Sequence, residues 1–559
     1  MQRELTKLHE GSHDLIIIGG GIHGLSAAWD AALRGLSVAL IEQSDFGAAT
    51  TSNSYRIVHG GLRYLQHLNF KRMRMSIGER SHLMRMAPHL IRPLPFLVPC
   101  YGHGMKGPEA LRAALAVNDM VGADRNATLD PAVHIPPGYM LSRDACLEQF
   151  PGLSKDGLTG GAVFYDGQMY DSERLTLAFA HSASQAGAAL ANYVQATGIR
   201  RLKDGSMVVA AKDKSTGNTF DICGRMVLNT AGPWMARVLS GLDGAPVAPE
   251  PPVYSKGVQI LTRSFMPEMA VALEGQQSDT TARLARGKRS WFVTPWRGHA
   301  FIGTTDTRFE GQPETFRITR ADIDELLDAI NAAYPPAQLT RADVVFWNGG
   351  LRPCDAKAKG GNTASASHET RIIDHAKDNL LDGIISISGV KYTTCRYVAE
   401  RTIDLIAGRL RHTPTPQLTR DNTLAGGDMS SWKHFVDAQL ADPILNETHT
   451  RHMAHLYGSD IALIRKRIQD SPALADSISA GASLTRAEVV HAIEHECALT
   501  LEDVIMRRTG VGATGNPGAA LIKAVAKEMA QSLDWSDTHT SDQIDFASAR
   551  FTLADDAAH

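Results

Sequence analysis

The chain has 559 residues, of which 43% are hydrophobic and 21% charged, and a formal net charge of −3. That length is more than one hydrophobic core can use and calls for two or three domains. The near-neutral balance argues against a nucleic-acid partner, and no apolar run approaches the roughly 20 residues of a membrane span, so any membrane contact has to be peripheral.

The first stretch, residues 1–13, reads as a loose leader without the apolar core of a secretory signal. Leu15–Ile18 is then a short β-branched run, as expected of a buried parallel strand. Gly19, Gly21 and Gly24 complete G-x-G-x-x-G. The first glycine allows a tight turn, the second lets backbone approach a pyrophosphate, and the third lets a helix pack close on the strand. That helix is expected over 25–34, followed by a strand over 36–41 that ends on Glu42, placed to accept hydrogen bonds from ribose hydroxyls. The acid favours FAD or NAD over NADP, and the unit alone does not choose between those two.

The next segment, TTSNSYRIVHGGLRYLQHLNF, points to a flavin. Small hydroxyl residues, Thr51, Ser52 and Ser54 among them, let backbone lie close to a flat ring and a ribityl chain. His59, Gly60 and Gly61 then lead into Arg63 and Tyr64. Further along, a helix is expected over 173–186, capped by Asp171 or Ser172. Val194, in the strand after it, is assigned a backbone contact to adenine. An apolar strand ends at Thr230, and Ala231 and Gly232 are small enough for a cofactor to sit against them. The alternating segments 290–296 and 299–305 suggest an antiparallel sheet. Residues 383–388 form another strand, and Thr393 and Thr394 open a helix whose N-terminus suits the electron-rich edge of a reduced flavin.

Pro414 and Pro416 mark a linker, and 420–535 reads as helical over 432–441, 460–470, 486–496, 501–508 and 519–533. The tail 536–559 is expected to be loose. His491, Glu494 and His495 follow the order of a zinc peptidase, but with no third ligand or suitable scaffold in view they are not read as a metal site. Six scattered cysteines without a C-x-x-C pair fit a reducing compartment.

These motifs, in order, resemble the FAD-dependent glycerol-3-phosphate dehydrogenase family, within the wider group of D-amino-acid-oxidase-like flavoproteins. The resemblance rests on the glycine fingerprint with its acid, H-G-G-L-R-Y-L, MAPHL (86–90), NTAGPW (229–234), FIGTTD (301–306), GLRP (350–353), KYTTCR (391–396) and the late LYGS and MRRTG segments, over about residues 14–515. It implies three units. The first is an α/β Rossmann-like FAD domain made of 14–80, 170–240 and 345–410. The second is an α+β substrate domain with an antiparallel sheet, 81–169 and 241–344. The third is a helical C-terminal domain, 420–535. FAD is the implied cofactor and a small phosphorylated polyol the substrate. Oxidation of a secondary alcohol to a ketone by hydride transfer to flavin is the implied reaction, with electrons passed to quinone.

By the same resemblance Arg63, Tyr64, Arg352, Lys391 and Thr393 line the substrate pocket. Lys391 and Thr393 also adjoin the cofactor, and Arg352, Lys391 and His59 are the catalytic candidates. His59 is a base by residue type, and equally a structural hydrogen-bond partner. The resemblance further implies a cytoplasmic protein peripheral to the inner face of the cell membrane. It leaves open a homodimer, an oxygen-using oxidase, a dehydrogenase for another polyol phosphate, and a flavin-bound sensor. Three positions depart from the family pattern. Gln259 stands where K-G-x-H has a histidine, Val390 where G-G-K has a glycine, and Tyr55-Arg56 where the pair is Ser-Lys-like. These departures bear on which sugar-alcohol phosphate is used.

Overall fold

The computed structural model describes residues 1–104, 107–242, 253–278, 288–354, 370–377, 382–413 and 416–555; the side chains of Arg63, Gln66, His67, 276–278 and 288–289 are outside the description. The linker residue Pro414 also lies outside the described residues.

The glycine fingerprint sits in a parallel sheet. Strand Ser12–Ile18 pairs with Val38–Ile41 on one side and Thr219–Asn229 on the other. Ala189–Ala191 and Ile384–Ser388 extend the parallel order outward, and Arg371–Asp374 closes one edge antiparallel. Strands buried on both faces read as continuous apolar runs, and Val38–Ile41 is buried at every position. Helix Ile22–Leu33 packs against Ser172–Gln185 and Cys395–Leu410 on one face. A meander, Val194–Arg201 and Met207–Asp213, joins the start of Thr219–Asn229 antiparallel. Asp171 caps the Ser172–Gln185 helix by accepting from Arg174 N at 2.8 Å.

A second sheet is built on Tyr254–Arg263, which pairs antiparallel with Val344–Pro353 along one edge and with His299–Gly303 and Thr307–Phe309 along the other. It continues through Lys288–Trp296, Ala270–Ser278, Ile91–Tyr101 and Leu158–Met169 to Ile57–Val58. The junction of Ala270–Ser278 with Ile91–Tyr101 is parallel, a departure from an otherwise antiparallel order. Helix Arg320–Ala333 covers one face of this sheet, where Leu326 and Ile330 meet Val258, Ile260, Val271 and Ile302.

Strand pairing redraws the expected domain boundaries. Val344–Pro353, expected in the nucleotide domain, hydrogen-bonds into the second sheet instead, and Ile57–Val58 does the same through Leu158–Met169. The nucleotide half resumes with Arg371–Asp374.

The C-terminal unit is helical as expected, with Trp432–Leu440, Ile461–Asp470, Arg486–His495, the π-turn Asp503–Arg508 and Ala519–Leu533. It also contains Glu447–Tyr457, which the sequence reading left unassigned. Both stretches expected to be loose carry a helix, and of the tail, residues 556–559 lie outside the described residues. Helix Leu5–Glu10 packs on Ala189–Ala191 and Thr219–Asn229. Arg3 pairs with buried Asp213 at 2.7 Å, and the Met1 ammonium donates to His495 O at 3.0 Å. At the other end, helix Asp537–Ala549 packs on Ala519–Leu533.

Candidate active site

Gly19 has φ +111°, and a Cβ there would lie 2.6 Å from Thr230 O. At Gly24 a Cβ would come 2.0 Å from Gly19 O, so this glycine is what lets the helix descend onto the strand end. Gly21 is the helix N-cap and carries no capping side chain, and Thr51 Oγ1 accepts from Ile22 N at 3.2 Å. Glu42 closes the turn, its two oxygens accepting from Gly20 N at 2.7 Å and Ser44 N at 2.8 Å. Burial raises the carboxyl above its ordinary range despite these hydrogen bonds.

A cavity of about 390 Å³ lies over this turn. Gly19, Gly21, Glu42, Thr51 and Ser54 line one side of it. Val194, Ala231, Gly232, Gly389 and Val390 line the other. A helix N-terminus whose cap residue is a bare glycine, a strand-end carboxylate and a wall of small residues are the set of groups that an extended dinucleotide with an anionic centre requires, so the residues present fit FAD. His23, inside the fingerprint, also lines the cavity. Both its ring nitrogens are buried without a hydrogen-bond partner among the described residues, and burial pushes it down to about 4. The sequence reading missed it; the signal was an imidazole in a turn otherwise built from small and aliphatic residues.

A second cluster gathers the H-G-G segment. Asp166 accepts from Gly60 N, pairs with Arg80 at 2.7 Å, and lies 3.4 Å from His59 Nδ1. His59 N donates to Thr393 Oγ1 at 3.0 Å. A Cβ on Gly60 would strike Arg80 Nη1 at 2.3 Å, and one on Gly61, where φ is +85°, would strike the Tyr64 ring at 2.7 Å. Both glycines are thus accounted for by the ion pair and the tyrosine packed on them, and neither lines the cavity. The His59 ring is largely exposed. Ser52 is likewise off the cavity wall, its hydroxyl buried without a hydrogen-bond partner among the described residues. Lys391 Nζ donates to Tyr64 OH at 2.7 Å, beside Val390 on the wall. The Arg63 side chain lies outside the described residues.

Arg352 lies on the second sheet. Its Nη2 donates to Thr305 O at 2.9 Å and Ser255 Oγ at 3.1 Å and pairs with Asp306. Its neighbours Leu351 and Pro353 line the cavity, and Thr50 Oγ1 donates to Leu351 O at 3.1 Å, joining the hydroxyl-rich loop to this strand. Of the departures from the family pattern, Arg56 is buried against Glu173 at 2.6 Å and over the Trp296 ring, a structural ion pair. The Tyr55 hydroxyl sits 2.7 Å from Phe292 O and 2.8 Å from Phe301 O.

The profile of the FAD dependent oxidoreductase family matches residues 14–391, and that of the C-terminal domain of alpha-glycerophosphate oxidase matches 417–540. Glycerol-3-phosphate dehydrogenase of Synechocystis sp. is 32% identical over 551 residues, 97% of each chain. The chain belongs to the FAD-dependent glycerol-3-phosphate dehydrogenase family. The human mitochondrial glycerol-3-phosphate dehydrogenase is 31% identical, over 97% of this chain and 74% of that one. The crystal structure of the glycerol-3-phosphate dehydrogenase from Bacillus halodurans complexed with FAD superposes with a TM-score of 0.75 at 26% identity, covering 98% and 95% of the two chains. Membership makes this chain an FAD-dependent oxidoreductase of the glycerol-3-phosphate dehydrogenase/oxidase type, with a phosphorylated substrate and an electron acceptor.

Proposed function

We propose that the chain oxidises sn-glycerol 3-phosphate to dihydroxyacetone phosphate and passes the electrons to quinone. When bound, the flavin supplies the hydride acceptor, N5. The chain's own residues do the rest. The fingerprint turn and the helix N-terminus behind it, which line the cavity, would hold the pyrophosphate, and Glu42 would accept from the ribose hydroxyls. The Val194 backbone would hold the adenine, and Ala231 and Gly232 would admit the ribityl side. Thr393 and the following helix N-terminus would favour negative charge on the flavin's pyrimidine edge. Lys391 and Tyr64 hold the oxygen of the reacting carbinol, and Arg352 with Arg63 holds the phosphate. The hydroxyl proton leaves to His59 or to water.

The observation that carries this reading is the 2.7 Å Lys391–Tyr64 hydrogen bond next to the wall residues Gly389 and Val390. A cation fixed there by a phenol stabilises the alkoxide that forms as the alcohol loses its proton, from which hydride then leaves. The test is anaerobic: glycerol 3-phosphate should bleach the flavin of the purified yellow protein, and a quinone should restore it. Failure to bleach rejects the assignment. The match of 417–540 to an oxidase domain favours oxygen as the second acceptor to try. Stoichiometric peroxide in air, unchanged by quinone, would replace dehydrogenase with oxidase.

We infer that the protein meets the inner face of the cell membrane peripherally. Among the described residues no helix is long and apolar enough to cross a membrane. Leu68, Phe70 and Met120 are exposed large apolar side chains on neighbouring elements, with Lys71 and Arg72 beside them. An apolar edge fringed by cations suits an anionic bilayer. Co-sedimentation with phosphatidylglycerol vesicles is expected and should drop severalfold in Leu68→Asp/Phe70→Asp; equal binding by both proteins would remove this surface from consideration.

A further inference from the structure

Residues opposite one another in an antiparallel pair share a face of the sheet. Gln259 opposes Asn348 on one side and Gly303 on the other, and Gly303 opposes Phe292, so these four form one row across the second sheet. Gln259 is 6% exposed and Asn348 2%. The Gln259 amide nitrogen donates to Thr304 Oγ1 at 3.1 Å. The side-chain carbonyl oxygens of both residues, Gln259 Oε1 and Asn348 Oδ1, are buried and accept from no donor among the described residues. Buried polar atoms are as a rule hydrogen-bonded, and leaving one unmet is costly. Two adjacent acceptors in that state form a site short of two donors.

The surroundings mark where those donors come from. The next row on the same face is Gly257 opposite Gly350, two residues without side chains. A Cβ on Gly257 would lie 3.0 Å from both Arg352 Nη2 and Thr304 Oγ1, so the guanidinium folds over that glycine toward the carboxamides. A Cβ on Gly350 would lie 3.2 Å from Thr50 Cα, and one on Gly303 would lie 3.4 Å from the Tyr55 ring. The row therefore lies under the hydroxyl-rich loop, of which Thr50 lines the cofactor cavity. Neutral carbonyl oxygens disfavour an anion, and with the Arg352 guanidinium already folded over the neighbouring glycine a neutral O–H donor complements them better than a second cation.

We propose that Gln259 and Asn348 are specificity-determining residues that read two hydroxyl groups of a phosphorylated polyol whose anionic end lies toward Arg352. This rests on the reading of the chain as a polyol-phosphate oxidoreductase. It narrows the substrate class to phosphates bearing at least a vicinal diol and rejects those with a single hydroxyl. Because neither residue titrates, this selectivity is independent of pH.

The test compares anaerobic flavin reduction by sn-glycerol 3-phosphate and by propane-1,2-diol 1-phosphate, which keeps the secondary alcohol and lacks the terminal hydroxyl. The apparent second-order rate constants of the wild-type holoenzyme should differ by at least about tenfold, as a site built to bond a hydroxyl rejects the analogue without it. In Gln259→Leu and Asn348→Leu that ratio should fall toward one, with the change carried by apparent substrate affinity and by the triol phosphate. The visible flavin spectrum verifies cofactor retention, and Gln259→Met and Asn348→Thr make the same comparison should either leucine variant fail to hold flavin. The same ratio in wild type and variants, with glycerol 3-phosphate still reducing the flavin, overturns this inference alone. Reduction by neither compound overturns both it and the polyol-phosphate reading.

Discussion

Lys391→Met should leave a yellow protein whose flavin is reduced by glycerol 3-phosphate on the order of 10²–10³-fold more slowly, the loss usual for one preorganised charge at a developing oxyanion. Lys391 Nζ donates to Tyr64 OH at 2.7 Å and lies over its ring. Burial by itself would raise the Tyr64 phenol, but the Lys391 charge and hydrogen bond, followed by Arg72, outweigh it and hold the phenol below its ordinary range. Removing the ammonium therefore has a second readout. The alkaline limb of the pH profile should move up in Lys391→Met, because the phenol loses the charge that lowered it. Tyr64→Phe keeps the cation and should cost less. Stopped-flow reduction across pH 6 to 10 (chosen to bracket the ordinary phenol and ammonium ranges) checks both. An unchanged reduction rate in Lys391→Met would remove the lysine from the chemistry.

Asp45→Asn should destabilise the fold by about 3–5 kcal/mol at neutral pH, the cost of breaking a fully buried ion pair from one side. Asp45 accepts from Arg507 Nε at 2.6 Å, from Arg508 Nη2 at 2.7 Å and from Asn192 Nδ2 at 2.9 Å, and its side chain is shut off from solvent. Burial would raise its carboxyl, but Arg508 and then Arg507 more than offset it and hold the group well below the carboxylate range. A depressed native value means that the unfolded state binds the proton first, so this contribution is present above the unfolded value, near 3.8, and is lost as pH falls through the native one. Urea unfolding should accordingly show the full gap between wild type and variant at pH 7 and a narrowing gap below about pH 4. A gap that stays constant down to acid would refute the linkage.

The nucleotide half was legible because its signals are local. A β-branched run, three glycines and an acid at fixed spacing describe one continuous strand–helix–strand unit, and the structure differs from that reading only at the element ends, Ile22–Leu33 against 25–34. The late helices were legible from their apolar periodicity. Glu447–Tyr457 was not, because its buried face includes His449, Thr450 and His452, which read as polar until their surroundings are known. The tail helix Asp537–Ala549 buries only Ala547 fully and carries almost no apolar stripe. Strand Val344–Pro353 was assigned to the wrong half because its partner, Tyr254–Arg263, is about ninety residues away, and nothing local names a cross-strand neighbour. The motif glycines Gly60 and Gly61 point the same way. Sequence could mark them as special, but only the positions of Arg80 and the Tyr64 ring give the reason. The orphaned oxygens of Gln259 and Asn348 belong to this class too, since an unmet acceptor is a property of a neighbourhood.

The Asp45 clamp also bears on how this enzyme can be handled. Asp45 stands three residues beyond Glu42, in the loop whose Ser44 carbonyl receives Tyr193 N, while its arginine partners come from the last hundred residues. The first residue is tied to His495 as well. A minimal flavoprotein cut near residue 416 would strand a carboxylate without its counter-ions and uncover the surface beneath it, right beside the nucleotide turn. Excision and domain exchange at that junction are therefore poor routes to a smaller catalyst, and replacements within the helical unit will register as changes in how firmly the coloured group is kept.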